Sequence, residues 1–221
     1  EITKMELVSQ FRCNGSDGYL AWLDNTLDIR ETANWDMQDI DYDIQIMDSP
    51  HDVRNIILEK NVASNNKARL LAGYCWDWPK AGRNKTTEPD IIIGDFKMSW
   101  NLENTSTFAI DENSVNEIGC IHSSQGLEFD YVGVIIGEDL RYEDGKVVTD
   151  FTKRAKTDQS LKGIKKLHKE NPEKAQKTAD EIIKNTYRTL MTRGMKGCYV
   201  YCVDENLSEY LKSSIGKEEE S

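Results

Sequence analysis

The sequence predicts an α/β domain built around a mostly parallel central sheet. Over residues 1–75, strand-like and helix-like segments alternate in the order strand, helix, strand, helix, strand, which is typical of such sheets. A chain of 221 residues is long enough to bury the core of one domain without disulfides. Its longest apolar runs, such as 132–136, are far too short to cross a bilayer, so no membrane partner is expected.

The elements of the first part are predicted from the spacing of apolar side chains. From Tyr19 to Leu27 these residues recur at helical spacing. Ser49 and Pro50 begin a second helix, because serine caps a helix and proline suits its first turn. The predicted order is a strand over 5–8, a helix over 19–27, a strand over 42–47, a helix from residue 49 and a strand over 68–75.

Two insertions interrupt the rest of the predicted domain. Residues 76–115 hold tryptophans and prolines and predict a loop with small strands, whereas residues 137–175 are polar, rich in lysine and predict an exposed excursion. The remaining elements are expected as strands over 117–122 and 131–136, a helix over 173–191, a strand over 196–203 and a helix over 204–215. We therefore expect one domain over 1–215 and a disordered tail over 216–221.

The charge balance is acidic, with 28 basic and 39 acidic residues and a net charge of -11. Because phosphate contacts supply most nucleic-acid affinity, such a chain is a poor nucleic-acid binder on its own. A local contact strip is still compatible with this balance.

The five cysteines and three histidines predict no metal site, since no CxxC pair occurs. Most of the cysteines lie in or beside apolar strand-like runs, which is typical of buried, reduced thiols. No signal peptide opens the chain, and a cytoplasmic location is expected. The start at Glu1, without a methionine, suggests a fragment of a longer protein.

The residues from Ile121 to Asp130 are the most informative for chemistry, and they form an Ile-His-Ser-Ser-Gln-Gly-Leu-Glu-Phe-Asp run between two strands. The hydroxyls of Ser123 and Ser124, with nearby backbone N–H groups, suit phosphate oxygens. Gly126 permits a close backbone approach to a ligand, and Glu128 suits a ribose hydroxyl. Taken alone, the run is also compatible with a plain turn.

This run resembles motif V of superfamily-1 helicases, in the form with glutamine rather than lysine before the glycine. With Gly119-Cys120 before it and residues 131–134 after it, it is most similar to the Schlafen group 3-like DNA/RNA helicase domain. The resemblance implies a RecA-like three-layer sandwich with an irregular insertion, here the second such half of a helicase. It implies ATP binding by Gly126 and Glu128, nucleic-acid binding by Ser123 and Ser124, and supporting roles for His122 and Gln125.

The segment from Asn185 to Gly197 resembles motif VI, in which a helix ends in Thr-Arg just before a strand. The resemblance implies that Arg193 reaches the γ-phosphate across a cleft and that Thr192 supports it. A fixed, delocalised guanidinium suits the charge of a transferring phosphoryl group. Alone, Arg193 is also compatible with a cation at a helix C-terminus. Arg188 lies five residues earlier and is given a supporting role at most.

Residues 9–12, Ser-Gln-Phe-Arg, resemble motif IV. The resemblance implies that Gln10 and Phe11 bind ATP, Phe11 by stacking on the adenine, and that Arg12 contacts the γ-phosphate. The family often has tyrosine where Phe11 stands, so stacking is kept and the hydroxyl is lost. Alone, the three residues from Gln10 form a weak signal, and Arg12 is also compatible with a surface ion pair.

No GxxxxGK[ST] phosphate-binding loop occurs in the sequence, and no strand ends in paired acids as a Mg²⁺-binding strand would. We expect ATP and Mg²⁺ to be held mainly by an N-terminal RecA-like domain of the same parent chain. This chain alone is expected to bind neither tightly and to hydrolyse little ATP. Single-stranded DNA or RNA is the expected partner of the intact protein. An alternative is a catalytically inactive nucleotide-sensing or protein-interaction module that kept the fold.

Overall fold

The computed structural model describes residues 16–77, 89–101 and 107–216, and these form an α/β sandwich. The helices are α1 (Ser16–Thr26), α2 (Pro50–Ala63), α3 (Ile164–Glu170), α4 (Pro172–Met191) and α5 (Glu205–Ile215). The strands are β1 (Asp43–Ile46), β2 (Ala68–Ala72), β3 (Ile91–Ile93), β4 (Phe96–Met98), β5 (Ile118–Gly119), β6 (Phe129–Ile136), β7 (Leu140–Glu143), β8 (Lys146–Thr149) and β9 (Gly194–Cys202).

The central sheet has five strands in the order β1-β9-β6-β2-β5, and all of its pairings are parallel. Side chains of β6 alternate between the two faces of this sheet. Val132 and Val134 pack into the core that α1, α4 and α5 cover, whereas Ile135 packs into the core that α2 covers. Helices therefore lie on both faces, which confirms the predicted three-layer, RecA-like sandwich.

Helix α2 begins where its capping residues predict. The Ser49 hydroxyl accepts a hydrogen bond from the Asp52 backbone N–H at 3.1 Å, and Pro50 occupies the first turn. Such a cap satisfies one of the N–H groups that the first turn leaves without a helical partner. Val53 and Ile57 are both buried and fix this helix against the sheet.

The first insertion packs against the sheet through a short hairpin of β3 and β4. Ile91, Phe96 and Trp100 are all buried, and the Trp100 ring stacks on Tyr74 at a centroid distance of 5.9 Å. The strand predicted over 117–122 contains only the two residues of β5, because the chain turns at residue 121.

The lysine-rich region 137–175 is not an exposed excursion, as the sequence led us to expect. Strands β7 and β8 form a hairpin whose Leu140 and Val147 enter the same core as α4 and α5. Leu161 and Ile164 are also buried. The expectation failed because a few apolar residues, spaced among many lysines, are enough to anchor the segment while the lysines stay in solvent.

Candidate functional site

Arg193 lies at the junction between α4 and β9. Thr192, which is buried, caps the helix through its backbone N–H, which donates to the Arg188 carbonyl at 3.1 Å. The Arg193 carbonyl then accepts a hydrogen bond from the Phe129 N–H at 2.9 Å. These hydrogen bonds fix the end of α4 against the start of β6. Arg193 therefore lies at the amino edge of two neighbouring strands, β6 and β9.

The Arg193 guanidinium is turned toward the loop that precedes β6. Its Nη1 donates to the Leu127 carbonyl at 3.5 Å, and the residue is 8% exposed. Burial lowers the pKa of Arg193, and the nearby Glu128 carboxylate offsets part of that effect by favouring the charged form. Arg193 and Glu128 therefore lie near each other, and their roles at a nucleotide stay predictions.

The two serines of this loop face inward. The Ser123 hydroxyl accepts from the Cys120 N–H at 2.7 Å, and the Ser124 hydroxyl donates to the Cys120 carbonyl at 2.9 Å. Both residues are buried. In this arrangement they shape the turn, and their contact with nucleic acid stays a prediction that requires the turn to open.

The other side of the same turn is exposed to solvent. His122, Gln125, Gly126 and Glu128 all lie on this outer face. Gly126 has a φ of +74°, which is a left-handed conformation that side chains other than glycine rarely adopt, and no atom lies within 4 Å of where its Cβ would be. The exposed backbone at Gly126 is open to a ligand, beside the acceptor oxygens of Glu128.

The position of this cluster in the sheet differs from the usual ligand position in α/β folds. Ligands of open parallel sheets gather at the carboxyl ends of the strands. Glu128 and Arg193 instead precede β6 and β9, so they lie at the amino edge of these strands. Gln10, Phe11 and Arg12 lie outside the residues that the structure describes, so their predicted place beside this cluster stays a prediction.

Comparison with known proteins identifies the fold's family. A sequence model of the family described as Schlafen group 3, DNA/RNA helicase domain matches residues 1–204. The chain belongs to this helicase-domain family. A Saccharomyces cerevisiae protein, described as uncharacterized protein YPL245W, is 26% identical over an alignment that covers 93% of this chain and 47% of the relative. The chain therefore spans about half the length of the curated relative it matches. No solved structure matches this chain.

Sequence reasoning missed the link between α1 and α4 in this helicase domain. Asp24 on α1 forms an ion pair with Arg188 on α4, and its second oxygen accepts from Arg30 at 2.8 Å. The Tyr19 hydroxyl donates to the Met191 carbonyl at 3.0 Å, at the end of α4. The available signal was an acidic residue within the apolar run of α1, because a buried carboxylate needs a partner.

The remaining predictions about cysteines, metal and membrane concern the whole domain. In the part of the chain that the structure describes, Cys120, Cys198 and Cys202 are buried thiols, as expected, whereas Cys75 is half-buried. Among those same residues, no group of three or more histidine, cysteine, aspartate or glutamate side chains is placed to hold a metal ion. Within the described ranges, no helix has the length and apolar character that a membrane span requires.

Proposed function

We propose that this chain is the second motor domain of a nucleic-acid-dependent ATPase of the helicase type. The observation that carries the proposal is the position of Arg193 beside Glu128, at the end of α4 and at one edge of the sheet. A guanidinium at such an edge is suited to a phosphate held by a neighbouring domain, since it stays charged at every physiological pH.

Each residue of the cluster has a distinct proposed part. Arg193 neutralises charge that develops on the transferring phosphoryl group, and Arg12 joins it there. Phe11 stacks on the adenine beside Gln10. Glu128 accepts from a ribose hydroxyl, and the backbone at Gly126 allows close contact. These groups supply cations, acceptors and a stacking face for ATP, which fits one half of a shared site.

Magnesium is proposed to reach the site with ATP on the other RecA-like domain of the parent chain. When bound there, it would neutralise the β- and γ-phosphate oxygens. The cluster around Arg193 supplies a cation and a single nearby carboxylate, which suits the outer side of such a site better than the metal side. The assignment of Mg²⁺ to another domain is consistent with a chain that covers 47% of the relative's length.

The turn at 121–126 is proposed to contact the backbone of single-stranded DNA or RNA. Its exposed face offers His122 and Gln125, while Ser123 and Ser124 lie beneath. Imidazole and amide N–H groups donate to phosphate oxygens without reading sequence, and the serine hydroxyls would join them if the turn opened. Because the turn leads directly into Glu128, a shift of the turn on binding nucleic acid would also shift Glu128 and change its contact with the nucleotide.

The test is ATP hydrolysis by the full-length parent protein, with and without single-stranded DNA or RNA. We expect polynucleotide to stimulate hydrolysis and Arg193→Ala to lower the rate by a factor on the order of 10³ or more. Arg193→Lys keeps the positive charge but loses the planar guanidinium, so its rate of ATP hydrolysis should stay close to that of Arg193→Ala. Arg141→Ala is the matched control, since it removes an arginine from β7, which follows the carboxyl end of β6 and so lies away from the edge that holds Arg193.

A second candidate is an inactive nucleotide-sensing or protein-interaction module. Its supporting observation is that Arg193 is only 8% exposed, so the guanidinium must turn outward before it can meet a ligand. If the parent protein hydrolyses no ATP, or if Arg193→Ala matches the wild-type rate, the motor proposal is wrong and this second one is favoured.

A further inference from the structure

A cavity of about 610 Å³ opens at the carboxyl edge of the sheet, the edge opposite Arg193. The eight residues of β6 separate the two edges by about 26 Å. Segment 151–165 forms most of the wall, and Cys75 and Asp77 complete it beyond the end of β2. Ligand sites commonly enclose about 300–1,000 Å³, so the cavity has the size of a binding site.

The wall of this cavity is basic, although the chain as a whole is acidic. Its basic members are Lys153, Arg154, Lys156, Lys162 and Lys165, and its acidic members are Asp77 and Asp158. Both carboxylates are already engaged. Asp158 pairs with Arg154 at 2.8 Å, and Asp77 accepts from the backbone N–H of Lys156 at 2.8 Å. Because the wall has five basic residues and two acidic ones, its net charge is positive, in a chain of net charge -11.

The floor of the cavity is rigid. The Arg154 side chain is 2% exposed and bonds Asp139 at 3.1 Å as well as Asp158. Asp139 in turn accepts a hydrogen bond from the Tyr187 hydroxyl, which itself accepts from the Gly137 N–H at 3.0 Å. Gly73 is required here, because a Cβ at that position would lie 1.9 Å from the same hydroxyl.

The rim of the cavity carries cations that are available for a ligand. Lys156, Lys162 and Lys165 are exposed, and none of them forms an ion pair with another residue that the structure describes. The remaining rim lysine, Lys153, pairs with Glu138 at 2.7 Å. An ammonium group on a flexible stem suits phosphate groups whose positions vary, whereas a planar guanidinium favours one fixed geometry.

We propose that this cavity binds phosphodiester groups of a single-stranded polynucleotide, with Lys156, Lys162 and Lys165 as the contacts. The inference rests on the proposed function, for which it names a second nucleic-acid contact. A strand is favoured over a small phosphate because the basic surface continues along α3, where Lys166 and Lys169 are also exposed. Binding through phosphates alone would be independent of base sequence.

The cavity is physically connected to the proposed nucleotide site. Tyr187 belongs to α4, so the bonds from Arg154 through Asp139 reach the helix that ends at Met191, just before Arg193. Helix α4 therefore links the proposed polynucleotide contact at one edge of the sheet to the proposed nucleotide contact at the other.

The test measures binding of a labelled single-stranded oligonucleotide of about 20 nucleotides by fluorescence anisotropy, in the full-length parent protein. The variant is K156Q/K162Q/K165Q. The matched control is K97Q/K146Q/K177Q, which removes equal charge from exposed lysines outside the cavity wall. We expect the cavity variant to bind about tenfold more weakly for DNA and RNA of any sequence, and its log–log salt slope to fall by about 2.

Several outcomes would overturn the inference. One is that the cavity variant and the control share the same affinity and salt slope. Another is that the cavity variant loses binding of inorganic tripolyphosphate but keeps the oligonucleotide, since the site would then serve a small phosphate.

Because the substituted lysines are exposed, the thermal unfolding midpoint of the cavity variant should equal that of the wild-type protein.

The same protein set separates this inference from the proposed function. If Arg193→Ala abolishes ATP hydrolysis while the cavity variant binds oligonucleotide normally, only the cavity inference fails. If Arg193→Ala changes nothing while the cavity variant loses the oligonucleotide, only the motor proposal fails.

Discussion

The two edges of the central sheet hold their charged side chains in different ways. At the carboxyl edge, the side chains of Arg154, Asp139 and Asp158 are 2%, 0% and 1% exposed, and they bond one another. At the amino edge, where β1 begins, the charges are partly solvated: the side chains of Lys60 and Asp43 are 27% and 33% exposed in their ion pair.

This difference separates a fixed region from one that is able to rearrange. Removing one member of a buried pair leaves an uncompensated charge in the interior, so the carboxyl edge is held to one geometry. Partly exposed pairs contribute little, because water replaces a lost partner. The amino edge, where Glu128 is exposed and the pair of Asp43 and Lys60 is partly solvated, therefore has the lower barrier to movement.

The largest expected effect is on the carboxyl edge. Arg154→Met leaves Asp139 and Asp158 buried without their cation, and we expect it to lower the free energy of unfolding by about 3–5 kcal/mol. Hydrogen exchange of the β6 amides in the parent protein measures this change. Lys153→Met is the control, since its side chain is 46% exposed. If Arg154→Met lowers the free energy of unfolding by less than about 1 kcal/mol, the carboxyl edge is held no more firmly than the amino edge.

Asp24→Asn should lower stability less than Arg154→Met does, and its main effect is expected on ATP hydrolysis. The change removes the carboxylate that ties α1 to Arg188, and it should lower the free energy of unfolding by about 1 kcal/mol. ATP hydrolysis by the parent protein should fall several-fold, because α4 carries Arg193 and small misplacements of catalytic groups are costly.

Asp17→Asn is the control for that prediction, because Asp17 is exposed on the same helix. Equal activity of Asp24→Asn and the control would mean that the link between α1 and α4 does not position Arg193. Asp24 would then contribute to stability alone.

The sequence predicted those elements whose apolar residues follow a clear period. Helices α1 and α4 and strands β6 and β9 begin and end within a few residues of their expected bounds, and α2 begins at its expected start. Strand β5 was overestimated, because Ser123 and Ser124 turn the chain through hydrogen bonds to Cys120, and such bonds leave no periodic pattern.

The candidate site was predictable only where a motif is continuous in sequence. Glu128 and Arg193 each belong to such a motif, and the pairing of β6 with β9 brings them together. The network of Asp139, Arg154 and Tyr187 was not predicted, since its members are separated by 15 and 48 residues and Tyr187 alone lies within a motif. Only the packing of region 137–175 against α4 reveals it.

The smallest expected effect concerns the pH dependence of the amino edge. Burial raises the pKa of Asp43, but the hydrogen bonds from Tyr199 and Lys60 together lower it by more. The pKa of Asp43 therefore lies below its usual value. A lowered carboxyl pKa gives stability that is present above about pH 4 and is lost as pH falls through the folded-state value.

Asp43→Asn should therefore flatten the fall of the unfolding midpoint of the parent protein between about pH 5 and pH 3. Because the Asp43 side chain is 33% exposed, we expect the difference at neutral pH to be under about 1 kcal/mol. Asp95→Asn is the matched control: its carboxylate is 93% exposed beside His51, and solvent screens that pair. If both variants keep the wild-type slope, Asp43 is as weakly held as a surface charge. A loss as large as that of Arg154→Met would instead make the amino edge as rigid as the carboxyl edge, and the assignment of movement to it would be wrong.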